Sequence, residues 1–162
     1  MTFILTFLSA ASAGFFIHDG GVSGSGDDSR SETFVDAIED YGGGSADLDN
    51  CIDGAEKMLD HLDDTVFTSW ELATDSSAWS WDFEEANKDD TYNDAADLGY
   101  FSGHGISSWL YFHGSSGDDW VGGYETRFGE EDVEAVAMDS CLTLDGTGRT
   151  NFINANKGEG VH

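Results

Sequence analysis

Asp97-Leu98-Gly99-Tyr100-Phe101-Ser102-Gly103-His104-Gly105 is a short apolar run that ends in a histidine between two glycines. A second run, Val133-Glu134-Ala135-Val136-Ala137-Met138, ends in Asp139-Ser140-Cys141. Both are short apolar runs that end in a polar element, which makes them candidates for buried strands. Helical periodicity lies elsewhere in the chain, so the alternation predicts an α/β layer built on a mostly parallel sheet. In such a sheet the C-terminal strand ends share one edge, where ligands bind. If these two strands are neighbours, that edge brings His104 and Cys141 together.

Outward from this pair, the clearest helix is the stripe Leu48, Cys51, Ile52, Ala55, Met58, Leu59 and Leu62, with acids on the opposite face. It predicts a core position and a structural role for Cys51. Ser29 and Glu32 have capping-box spacing, and Phe34, Val35, Ile38 and Tyr41 follow at helical intervals up to the glycines 42–44, predicting another helix. Phe15 to His18 reads as a first short strand and Thr65 to Leu72 as another. Residues 74–96 read as a loop or short helix anchored by Trp79, Trp81 and Phe83. Trp109–Phe112 and Trp120–Tyr124, flanking a turn-rich stretch, predict a hairpin with His113 exposed in its turn. No internal repeat is visible.

Composition sets the outer bounds. The 162 residues suffice for one domain, and 39% apolar with 13% aromatic content supports a real core. Thirty-three acidic residues face six basic ones, a formal net charge of −27. The acids interleave with aromatics rather than forming a tail, which reads as adaptation to a high-salt environment. Nucleic acid and anionic membranes are excluded as partners, since no basic footprint exists. No segment is long and apolar enough for a membrane-spanning helix. Met1 to Ala13 is apolar and ends in Ala-Ser-Ala, but lacks a basic start; it reads equally as a signal-like leader or a first apolar segment, with the domain proper at 14–162, so cytoplasmic and secreted locations stay open.

A thiol nucleophile needs a neighbouring imidazole to lower its pKa and supply a proton to the leaving group. On spacing alone, a catalytic His104–Cys141 pair and an unremarkable buried Cys with a surface His stand level. His18, His104, His113 and Cys141 have no ligand spacing, so neither a metal nor a cofactor is expected. The run 47–54 fails as a calcium loop, with Ile52 at its sixth position and Met58 at its twelfth.

Y-F-S-G-H-G (100–105) and A-M-D-S-C (137–141) resemble the His and Cys motifs of the caspase-like cysteine peptidases, metacaspases in particular. The stretches A-D-L-G-Y-F-S-G-H-G-I-S-S-W and F-G-E-E-D-V-E-A-V-A-M-D-S-C-L-T-L are similar to an uncharacterised prokaryotic domain family within that superfamily. The likeness is sharp over 96–144, diffuse over 65–95, and rests on element order before residue 60. It implies a three-layer caspase-like sandwich and a peptide-cleaving dyad, with Cys141 as nucleophile and His104 as acid and base. It also implies that the Gly105 and Cys141 amides hold the oxyanion, and that Asp139 receives a basic substrate side chain. The implied partner is a peptide or protein substrate; a non-catalytic binding or signalling module is the alternative. Leu142-Thr143-Leu144 stands where metacaspases have His-Ser-Gly, so the groove there differs. Gly160-Val161-His162 looks like the approach to a further strand, so a C-terminal part of the domain is expected to be missing.

Overall fold

The computed structural model describes residues 14–17, 31–42, 46–63, 69–84, 96–113, 120–126, 128, 133, 135–141 and 146–156. Met1 to Ala13, His18 and the segment 64–68 lie outside them. The strands are β1 (Gly14–Ile17), β2 (Glu32–Ala37), β3 (Ser69–Thr74), β4 (Leu98–Gly103), β5 (Gly105–Ile106), β6 (Trp109–Tyr111), β7 (Trp120–Gly122) and β8 (Ala135–Ser140). Two helices, α1 (Cys51–Asp63) and α2 (Gly146–Asn156), accompany them.

The main sheet runs in the order β1-β8-β4-β2-β3. β3, β2, β4 and β8 are parallel, and β1 closes the β8 edge antiparallel. The fold is therefore α/β with a mostly parallel sheet. β5, β6 and β7 form a separate antiparallel sheet, which contains the expected hairpin. Its first strand, the two-residue β5, follows directly on His104 and is too short to announce itself in the sequence.

The segment expected to be helical at 34–41 is instead the strand β2, which lies between β4 and β3. Thr33 through Ile38 are all buried. Val35 and Ala37 face α1, packing with Ala55 and Leu59, while Phe34 and Ile38 join the core on the other side. A strand covered on both faces reads as a continuous apolar run, and short runs of that kind mimic helical spacing. Tyr41, four residues past the strand, belongs to the turn that leads toward α1.

The core on the α1 face is small and aliphatic: Val35, Ala37, Ala55 and Leu59, with Ile52, Met58, Leu72 and Tyr100 around them. The opposite core is aromatic. Phe101 from β4 packs against Phe112 and Phe83 at ring-centroid distances of 4.9 and 6.0 Å. Phe83 follows two single-turn 3-10 helices, Asp75–Ser77 and Ser80–Asp82, which carry the chain over this face. The anchoring role expected of residues 74–96 is thus filled mainly by Phe83 and Ala78, both fully buried, while Trp79 and Trp81 are half-buried. The strand expected at 65–72 is observed at 69–74.

Candidate functional site

β4 and β8 are adjacent and parallel, and their register pairs Ser102 with Asp139 and Gly103 with Ser140. His104 and Cys141 are therefore the next residue on each strand, leaving the sheet side by side. Adjacent strands lie about 4.8 Å apart. Cys141 is exposed and His104 half-buried.

Residue 104 is held at three atoms. Its backbone N–H donates to the Tyr41 hydroxyl at 2.7 Å, and its carbonyl accepts from the Tyr111 N–H at 3.0 Å. Its ring Nε2 lies 2.6 Å from the carbonyl oxygen of Ala46. A carbonyl can only accept, so Nε2 carries the hydrogen and Nδ1 keeps the lone pair in the neutral ring. Ala46 is itself fixed by the turn between β2 and α1. There the Tyr41 N–H donates to Asp47 Oδ1 (3.0 Å) and the Leu48 N–H to the Glu39 carbonyl (2.9 Å). Glu39 Oε1 accepts from Ile52 N–H at 3.0 Å, satisfying one of the open amides at the start of α1.

Cys51 is not in the core. It is the first residue of α1, half-buried, preceded by Asn50 at φ +74°. The helix begins at this residue and places it beside the Ser102 hydroxyl at the rim of the sheet, whereas the stripe proper is buried only from Ala55 onward. Burial pushes its thiol pKa up, and the carboxylates of Asp139, Glu39 and Asp75 add to that. This thiol is kept protonated.

Asp139 is exposed. It interacts with Cys51 and with the phenol of Tyr100, whose pKa is pushed up to about 12, first by burial and then by Asp139. Cys51, Tyr100, Ser102 and Asp139 are thus neighbours on the α1 side of the sheet, with Asp139 exposed and Ser102 buried among them. Gly105 is buried in β5, opposite Leu110. His113 is exposed, as the hairpin reading expects, and its ring lies 6.3 Å from that of Tyr41. Among the described residues no three His, Cys, Asp or Glu side chains form a group able to hold a metal.

Sequence reasoning missed Tyr41, Ala46, Ser102 and the rim position of Cys51. Tyr41 and Ala46 lie on the turn after β2, which was hidden by reading β2 as a helix, and Cys51 opens α1 ahead of the stripe that is buried from Ala55 onward. Residues 35–162 match a family model described as a domain of unknown function (DUF6345). No curated protein and no solved structure matches the chain.

Proposed function

The chain belongs to the DUF6345 family, a domain of unknown function, and from the geometry of its sheet edge we propose that it is a caspase-like cysteine peptidase of a high-salt organism. The observation that carries this reading is the β4–β8 register together with the tethered His104 ring. A histidine whose Nε2–H is committed to Ala46 has Nδ1 available for a thiol on the neighbouring strand. The small antiparallel sheet that follows His104, and the run of parallel strands β3-β2-β4-β8, support the caspase-like sandwich.

In this mechanism His104 Nδ1 takes the Cys141 proton, and the thiolate adds to the scissile carbonyl carbon. The carbonyl electrons move to oxygen, which the Gly105 and Cys141 N–H groups receive. Collapse of that intermediate breaks the C–N bond, and His104 returns its proton to the departing amine. Water, deprotonated by His104, then cleaves the thioester and restores the thiol. Asp139, exposed at this rim, would take a Lys or Arg side chain next to the scissile bond by charge pairing.

The test is cleavage of peptides with internal Arg or Lys in molar salt. Cys141→Ala abolishes turnover and leaves the circular-dichroism spectrum unchanged; equal turnover by that variant would overturn the assignment. Alkylation separates catalysis from a non-catalytic binding module. Iodoacetamide labels Cys141 at least about tenfold faster than the protonated Cys51 if the pair is poised, and similar slow labelling of both favours the module.

A further inference from the structure

Gly105 on β5 stands opposite Leu110 on β6, so His104 and Tyr111 are the next pair along that antiparallel ladder. A hydrogen-bonded antiparallel pair exchanges two N–H···O bonds. Only one is direct here, from the Tyr111 N–H to the His104 carbonyl. The other is replaced by a relay: the His104 N–H donates to the Tyr41 hydroxyl at 2.7 Å, and that hydroxyl donates to the Tyr111 carbonyl at 3.2 Å. The phenol is a wedge in the ladder at the residue where β4 gives way to β5.

Two ring contacts and the space at Gly103 fix this wedge. The Tyr41 ring stacks on Tyr111 at 5.1 Å and 18°, and packs against the His104 ring at 4.6 Å and 47°. Tyr41 is only 6% exposed. A Cβ at position 103 would fall 2.5 Å from the Tyr41 hydroxyl oxygen and 2.9 Å from Phe101 Cζ. Gly103 thus leaves the space the hydroxyl fills, which gives a physical reason for glycine directly before the histidine.

We infer that Tyr41 is a positioning residue, whose hydroxyl opens the β5–β6 ladder and so aims the His104 ring at the Ala46 carbonyl with Nδ1 toward Cys141. The inference rests on the peptidase reading for its consequence in catalysis, but not for the placement of the ring. Without the hydroxyl, the His104 N–H closes directly on the Tyr111 carbonyl and the ring is drawn off Ala46.

The experiment uses the full chain in molar salt, with Tyr41→Phe, which keeps the ring and removes one oxygen. The first readout is the His104 imidazole by 15N NMR, assigned with a His104→Gln control. The parent protein gives a single Nε2–H tautomer, and Tyr41→Phe gives mixed tautomers. The second is peptide turnover: kcat falls roughly 10- to 100-fold, the scale of a misplaced catalytic group, while KM stays within about twofold because no substrate-binding group is lost. If Tyr41→Phe fails to fold, Gly103→Ala displaces the hydroxyl from the other side and is expected to mix the tautomers in the same way. A single Nε2–H tautomer retained in the folded variant refutes the inference, whatever the turnover. An unmixed parent spectrum with no peptide cleavage defeats the peptidase reading alone.

Discussion

Burial of Asp36 costs this molecule stability. It sits mid-sheet on β2 with no exposure, opposite Phe101, and neither carboxyl oxygen has a hydrogen-bond partner among the described residues. Burial raises its pKa well above the usual carboxylate range, and the charges of Asp82 and Glu71 raise it further. The unfolded chain ionises this group near its ordinary value of about 3.9. The folded state binds the proton more tightly, so the group favours folding most at low pH, and that contribution is lost as pH rises through the folded pKa. Asp36→Asn removes the titration and nearly preserves the shape. The variant should gain on the parent by roughly 1–3 kcal/mol at pH 8, the scale of one unsatisfied buried polar group, and should show little advantage near pH 4. Urea midpoints at the two pH values measure this, and a pH-independent difference between the proteins would contradict the account. The contrast is Asp139, which is exposed at the rim and raises the pKa of Tyr100 and Cys51 beside it.

At the level of elements, packing against α2 is tightly constrained. A Cβ at Gly123, directly after β7, would meet the Phe152 ring at 2.7 Å, and Asn151 donates to the Ser108 hydroxyl at 2.9 Å. Gly123→Ala should therefore lower stability by about 1–3 kcal/mol through overpacking. Adding it to Phe152→Ala should cost less than the two changes separately, because the shorter side chain vacates the clash. Additive unfolding free energies would mean that α2 does not press on this glycine. On the other face Leu59, 4% exposed in the middle of α1, should cost about 2–4 kcal/mol on truncation to alanine. The elements best read from sequence are those whose two faces differ, or whose ends carry a signal. α1 alternates apolar and acidic faces, and β4 and β8 end in Gly-His-Gly and Ser-Cys. β2 carries neither cue, since Thr33 to Ile38 are buried on both sides, and its apolar spacing fits two periods at once. That single misreading also hid Tyr41 and Ala46, because a turn that organises a histidine fifty-eight residues away leaves no local trace. The candidate pair His104 and Cys141 was legible; the scaffold that orients it was not.

For the molecule as a whole the governing quantity is charge. A compact 162-residue chain has a radius of gyration of about 15 Å. At 0.01 M salt the Debye length is about 30 Å, so every charge acts on every other; at 1 M it is about 3 Å, and only immediate neighbours interact. With a net charge of −27, self-repulsion in dilute buffer opposes folding across the entire surface. The outer face of α1 is representative, with Asp53, Glu56 and Asp60 exposed around the single Lys57. The melting temperature should accordingly climb by about 10 °C or more between 0.05 and 1 M KCl, since roughly 1 kcal/mol moves the midpoint of a domain this size by a few degrees. Two effects can raise it, and their salt dependences differ. Screening is nearly complete by 1 M and is the same for KCl and NaCl, whereas stronger apolar burial keeps growing above 1 M and is larger with sulfate than with chloride. The triple change Asp53→Asn, Glu56→Gln, Asp60→Asn isolates the first effect. It should raise the melting temperature in 0.05 M KCl and leave it nearly unchanged in 2 M KCl. A flat response of the parent protein from 0.05 to 1 M would remove the physical basis for assigning this sequence to brine.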